Sequence, residues 1–230
     1  NPLRYAKNKK FVIAVDNPGN KIFRDEPYYG KNFTNIVRFS LCRNEYETRQ
    51  IIIFPLEELN EKIYFEVNNL ENENKDIIPS LNIEIHKVVY VKIKKSPSGT
   101  KGGFWPDILY PVNSIELKNE IQPVFLTIHV GKKQREGIYK GNINIKNEKG
   151  ELLESITCVV KVYPFEIPEP TDFKTDFWFD EWHIQCRYGK VMTPEFYRKC
   201  MELLKKYHLV SYPTFRTIGR ELIIYLEENG

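Results

Sequence analysis

Val124-Phe125-Leu126-Thr127-Ile128-His129-Val130 alternates residue by residue between two kinds of side chain. Val124, Leu126, Ile128 and Val130 fall on one side of an extended chain, and Phe125, Thr127 and His129 on the other. A period of two marks a strand with one face on a core and one toward water. Tyr139, Gly141, Ile143 and Ile145 repeat the pattern against Lys140, Asn142, Asn144 and Lys146. Leu81, Ile83, Ile85, Val89, Val91 and Ile93 make a third stripe, interrupted by Lys87. With the runs from Phe11, Ile36–Arg43, Tyr46–Phe54, Ile63–Val67 and Thr157–Tyr163, about eight strands are predicted.

Turn chemistry separates the strands. Asn17-Pro18-Gly19-Asn20 and Ser96-Pro97-Ser98-Gly99 are strong punctuation. Asn147-Glu148-Lys149-Gly150 predicts a hairpin loop. Short turns and almost no helical pattern predict an antiparallel β-sandwich over residues 1–165.

Composition narrows the function classes. Lys and Arg number 34 against 31 Asp and Glu, so the electrostatic case for a nucleic-acid partner is weak. No run of about 18 apolar residues exists, so no membrane-spanning helix and no membrane partner are expected. The cysteines Cys42, Cys158, Cys186 and Cys200 lack zinc-ligand spacing. No phosphate-binding Gly-rich loop, G-x-S-x-G or H-E-x-x-H occurs, so neither cofactor nor metal is expected.

The pattern changes after Tyr163. Pro164, Pro168 and Pro170 stiffen an extended linker. Phe177-Trp178-Phe179 is apolar on consecutive residues, as suits a strand covered on both faces. Thr193-Pro194 reads as N-cap and first helical residue. Phe196, Cys200, Leu203, Leu204 and Tyr207 then recur at helical spacing, with His208 at the end, where positive charge suits the helix dipole. Leu209-Val210-Ser211-Tyr212 predicts the next strand. Residues 166–230 therefore read as a linker and one β/α unit, too little for a stable α/β domain by itself. The expectation is the start of a larger domain, with an exposed helix surface prone to self-association.

Three stretches combine into a resemblance. They are Arg43-Asn44-Glu45-Tyr46-Glu47 with Gln50; Pro106-Asp107-Ile108-Leu109-Tyr110-Pro111 with the later Gly137-Ile138-Tyr139-Lys140-Gly141; and Phe165-Glu166-Ile167-Pro168. Their order resembles the N-terminal sandwich of glycoside hydrolase family 123, in which a (β/α)8 barrel follows. Cys42 stands where the family commonly has Ala, and Ile108 where it has Pro. The resemblance implies a carbohydrate partner and β-N-acetylgalactosaminidase chemistry. It implies a substrate-assisted mechanism, in which the 2-acetamido oxygen attacks the anomeric carbon. An adjacent Asp-Glu pair orients that group and supplies the acid and base.

Asp180-Glu181 is such a pair, at the end of an apolar strand, and is the candidate catalytic pair. Trp178, Trp182 and His183 beside it are candidates for substrate binding. The family carries its pair on a later barrel strand, and neighbours on one strand point to opposite faces. A structural role, with capping or pairing to Arg187 or Arg216, therefore stays open. The competing function is a non-catalytic carbohydrate-binding or structural module, with Trp105, Trp178 and Trp182 as sugar platforms. Arg43, Glu45 and Glu47 are read as an ion-paired feature at a strand end or domain interface. Trp105 is also read as the anchor of a loop, and His86 and His129 as partnerless strand residues.

Overall fold

Alternation becomes packing in the computed structural model of the chain. It describes residues 9–24, 26, 28, 32–57, 59–94, 102–169, 177–179, 184, 186, 193–209 and 211–213. Contacts divide the chain into two units, Asn1–Ile167 and Pro168–Gly230. The first contains β1 (Phe11–Asp16), β2 (Ile36–Arg43), β3 (Glu45–Pro55), β4 (Glu61–Val67), β5 (Leu70–Glu71) and β6 (Ile77–Ile78). It continues with β7 (Ile83–Ile93), β8 (Gly103–Pro111), β9 (Ser114–Leu117), β10 (Gln122–Val130), β11 (Gly137–Lys146) and β12 (Leu152–Glu166).

These strands form two sheets. One has the order β1-β3-β10-β7-β8; the other runs β2-β12-β11-β4-β9, with β5 and β6 attached beside β11. A single core joins them. Ile51, Ile53, Val124, Leu126 and Ile128 from the first sheet meet Val37, Phe39, Leu41, Ile143 and Val160 from the second. The Val124–Val130 stripe predicted from sequence lies in this core in full. Burying each such aliphatic or aromatic side chain contributes roughly 1.5–3 kcal/mol.

Three expectations need correction. β2 and β12 pair in parallel, so the sandwich is antiparallel only elsewhere within its two main sheets. Alternation fixes which face is buried but carries no information on strand direction. Next, β1 and the Ile51–Phe54 part of β3 are buried on both faces. Their outer side chains, Val12, Ala14, Ile52 and Phe54, pack under Ile22, Tyr28 and Phe33 from the β1–β2 connection. Finally, β7 keeps Ile83 and Ile85 in the core, but Leu81 is 81% exposed in a 3-10 turn. Beyond Lys87 the buried residues are Val88 and Tyr90, not Val89, Val91 and Ile93. Arg24 covers the Tyr90 ring at 4.2 Å, and the Tyr90 hydroxyl donates to the Ile22 carbonyl at 2.7 Å.

Both predicted turns in the described residues form. The Asn17 side-chain oxygen accepts from Gly19 N–H, and Asn20 N–H closes on the Asn17 carbonyl at 3.0 Å. Gln50, nearly fully buried, donates to the Asn17 and Asn20 carbonyls and fixes that turn to β3. In the β11–β12 hairpin Asn147 Oδ1 accepts from Lys149 and Glu151 N–H, and Gly150 takes φ +79°. The Ser96–Gly99 turn lies outside the described residues, as does the rest of 95–101.

Tyr139 is fully buried in β11. Its hydroxyl donates to the Arg135 carbonyl at 2.8 Å and accepts from Gln134 Nε2 at 2.9 Å. Tyr139→Phe takes this donor from the Arg135 carbonyl and this acceptor from Gln134 Nε2, which keeps its bond to the Ile77 carbonyl at 3.2 Å. A loss of about 1–2 kcal/mol is expected in urea unfolding, with an unchanged m-value.

In the second unit, β13 (Phe177–Phe179) and β14 (Ser211–Pro213) pair in parallel. Between them in sequence lies helix α1 (Pro194–Lys206). Thr193 caps it, its Oγ1 accepting from Phe196 N–H at 3.2 Å, with Pro194 in the first turn. At the far end Leu209 N–H bonds Leu204 O and His208 N–H bonds Lys205 O, with His208 at φ +56°. His208 therefore ends the helix through a left-handed backbone turn. On α1 Tyr197 is buried, whereas Phe196 and Leu203 are exposed. This is a strand–helix–strand arrangement with parallel strands.

Candidate functional site

The first motif, Arg43-Asn44-Glu45-Tyr46-Glu47, sits where the chain passes from one sheet to the other. β2 belongs to the second sheet and β3 to the first, and Asn44 alone joins them. The sharp reversal requires φ +62° at Asn44, a left-handed value that Asn tolerates better than most residues. Its N–H bonds the Val130 carbonyl at 2.7 Å, and its side-chain Nδ2 donates to the Ile167 carbonyl at 2.9 Å. Arg43 completes the junction. Its Nη2 donates to Pro164 O at 2.7 Å, and its carbonyl accepts from Ile167 N–H at 2.9 Å.

The two glutamates have a different task. β2 is the edge strand of its sheet, so one row of its backbone groups faces no neighbouring strand. Glu45 Oε2 accepts from Cys42 N–H at 2.7 Å, and Glu47 Oε2 accepts from Ser40 N–H at 2.7 Å. Arg49, ion-paired with Glu47, donates from Nε to Arg38 O on the same edge at 3.1 Å. Alternate side chains of β3 thus cap alternate backbone groups of β2. The expectation of an ion-paired strand-end feature is met in Arg49–Glu47 and in the longer Arg43–Glu166 contact at 3.9 Å.

Cys42 and Cys158 are buried free thiols. The Cys42 thiol lies 3.0 Å from Glu45 Oε2. Burial, and then that carboxylate, push it up to about 11. Burial alone pushes Cys158 up to about 12. Neither is an activated nucleophile near neutral pH.

The remaining motifs also resolve into structure. Gly137 takes φ +143°, and Gly141 lies directly under the chain at Asn69 and Leu70. Tyr139 between them carries the buried hydroxyl described above. Pro106–Pro111 lies in β8, the edge strand of the first sheet. Prolines at 106 and 111 remove two donors from that edge. Trp105 is half-buried, edge-on to Phe23 at 5.2 Å, with Lys21 Nζ 4.8 Å from the ring centre. It anchors the β1–β2 connection, in agreement with the loop-anchor reading. The histidines have partners after all. His129 stacks on Tyr46 at 4.1 Å, and His86 Nε2 lies 3.7 Å from Glu84.

Of the predicted site, Trp178 lies in β13, its backbone opposite Tyr212. Asp180, Glu181, Trp182 and His183 lie outside the described residues, as do Arg187 and Arg216. Among the described residues no group of three or more His, Cys, Asp or Glu side chains is arranged to hold a metal ion. No described helix is long and apolar enough to cross a membrane. Asn44 was the important residue that sequence reasoning passed over. The available signal was an Asn between two strand-like runs, where a left-handed residue is needed.

Fold and motif positions together define the class: a two-sheet β domain followed by a strand–helix–strand segment. Residues 23–147 match the glycoside hydrolase 123 N-terminal domain, and the chain belongs to that family. A family 123 glycoside hydrolase from Clostridium perfringens, studied for glycolipid glycan hydrolysis, has a similar fold. Its TM-score is 0.72 at 18% identity, over 87% of this chain and 37% of that one. The chain therefore spans well under half of the length of that enzyme. The CooA pilin subunit from enterotoxigenic Escherichia coli matches loosely, with a TM-score of 0.35 at 12% identity over 66% of this chain and 97% of the pilin. No curated protein matches the sequence.

Proposed function

We propose that this chain is the N-terminal portion of a glycoside hydrolase acting on β-linked N-acetylgalactosamine glycans. The sandwich serves as its frame, and β13-α1-β14 is the opening unit of a (β/α)8 barrel. The observation that carries this reading is the family 123 match over residues 23–147. The parallel pairing of β13 with β14 around a helix supports the barrel assignment.

In the proposed reaction the acetamido oxygen of the substrate attacks the anomeric carbon as the glycosidic C–O bond breaks. A carboxylic acid gives its proton to the leaving oxygen. The resulting carboxylate then takes a proton from the water that opens the cyclic intermediate, which restores the acid. Asp180 is assigned to orienting the acetamido group and Glu181 to the acid–base role. Trp178, Trp182 and His183 are assigned to the sugar face. A sugar-binding role for Trp105 is disfavoured, because Phe23 and Lys21 already engage its ring.

The test compares this 230-residue chain with the product of its coding DNA read past the Gly230 codon. The substrate is an aryl β-N-acetylgalactosaminide. The short chain is expected to show no turnover above buffer, and the longer product clear turnover. Robust turnover by the short chain, abolished in Glu181→Gln, would overturn the assignment as an incomplete enzyme. An inactive longer product would overturn the hydrolase reading and favour the binding module.

A further inference from the structure

We infer that Arg43 and Asn44 are positioning residues that fix where, and in which direction, the chain leaves the sandwich. Four contacts converge on the last residues of the first unit. Arg43 Nη2 holds Pro164 O at 2.7 Å, and Glu166 Oε2 lies 3.9 Å from Arg43 Nε. The Arg43 carbonyl holds Ile167 N–H at 2.9 Å, and Asn44 Nδ2 holds Ile167 O at 2.9 Å.

The convergence is unusual because ordinary strand pairing has stopped there. β12 and β2 pair regularly from Thr157↔Ile36 to Val162↔Leu41, and the register then shifts before Glu166↔Arg43. Phe165 is 60% exposed, so the core does not hold this stretch by burial. Ile167 is held instead at both its N–H and its carbonyl, by two consecutive residues.

Asn44 is itself immobilised. It is 5% exposed, and its N–H is tied to Val130 at the end of β10. One residue thus links the sheet-to-sheet crossing, the central strand of the first sheet and the exit point. A Gly would serve the backbone turn equally well, because it adopts positive φ freely. The amide side chain adds what Gly lacks, a donor aimed at Ile167. For the proposed hydrolase, this gives the residues from Pro168 onward a defined origin.

The inference rests on the hydrolase reading only for its purpose, and the test does not depend on activity. Amide hydrogen exchange is measured on this chain as wild type, Asn44→Gly and Arg43→Lys. Asn44→Gly keeps the left-handed turn and removes the buried amide side chain, including the donor to Ile167 O; the core amides read any general loss of stability. Exchange at Ile167 is expected to accelerate at least about tenfold more than at Ile128 and Val160 in the core, the factor that one hydrogen bond supports. Arg43→Lys, which loses the Nη2 reach to Pro164, should give a smaller change in the same direction. Equal acceleration at all three amides would reduce Asn44 to a general stability residue and overturn the inference. No acceleration at Ile167 would overturn it as well.

Discussion

Gly141→Ala is expected to be the most damaging single-methyl change in the sandwich. A Cβ at this position would lie 2.5 Å from the Asn69 carbonyl oxygen and 2.7 Å from Leu70 Cδ2. Both distances are below any real contact, and the oxygen belongs to backbone. That backbone is pinned on either side. Asn68 N–H bonds the Asn142 carbonyl at 3.1 Å, and Leu70 is fully buried in β5. The neighbour therefore cannot move aside without breaking a hydrogen bond or lifting Leu70 from the core. Overpacking of this kind costs about 3 kcal/mol. In a unit of this size the thermal midpoint should fall by roughly 6–12 °C. The Gly141→Ala/Leu70→Ala double variant should lose less than the sum of its single changes, because one of the two clashes disappears. Additive losses would mean that the backbone contact alone sets the cost.

Alkaline conditions should weaken the fold through Cys158. Burial holds its thiol neutral up to about 12 in the folded chain, against an ordinary value of 9.0. The unfolded chain ionises first, so the contribution is complete below pH 9 and is lost as pH rises from 9 toward 12. Each pH unit in that window costs about 1.4 kcal/mol. Between pH 8 and 10.5, wild type should lose about 2 kcal/mol more than Cys158→Ala in urea unfolding. The raised tyrosines Tyr28 and Tyr90 are present in both proteins and cancel from the comparison. Parallel curves for the two proteins would show that water reaches Cys158 in the native state.

How far the sequence could be followed depended on what each pattern encodes. The stripes in β10 and β11 were legible because each strand is central in its sheet, with one face on the core. β1 and Ile51–Phe54 gave a different signal, a continuous apolar run, which marks two covered faces. β7 misled because its outer half runs beside an edge strand and has a register shift between Val89 and Tyr90. There the outer face, under Arg24 and Ile22, is the buried one. β8 passed unrecognised because its prolines and exposed side chains suit an edge and blur alternation. The parallel β2–β12 pair was invisible, since periodicity names no partner.

The candidate site divides along similar lines. A charged cluster such as Arg43-Asn44-Glu45-Tyr46-Glu47 is recognisable in a sequence, but its purpose is not. Carboxylates that cap a neighbouring strand look the same, in one dimension, as carboxylates that do chemistry. Only the positions of the Ser40 and Cys42 N–H groups distinguish the two. Asp180 and Glu181 remain proposals drawn from family membership and strand-end position.

The pairing of β2 with β12 has a consequence for how this chain is made. On the ribosome β2 emerges early and β12 last among the strands of the sandwich. One side of β2 is capped at once by glutamates only a few residues away, and needs no distant partner. Its other side must wait until almost the whole domain has been synthesised. Sheet closure is therefore a late, long-range event, of the kind that folds slowly. Arg43 and Asn44 receive Pro164 and Ile167 at that same moment. The last stretch of the first unit, Pro164 to Ile167, is thus fixed only when the rest of that unit has been made.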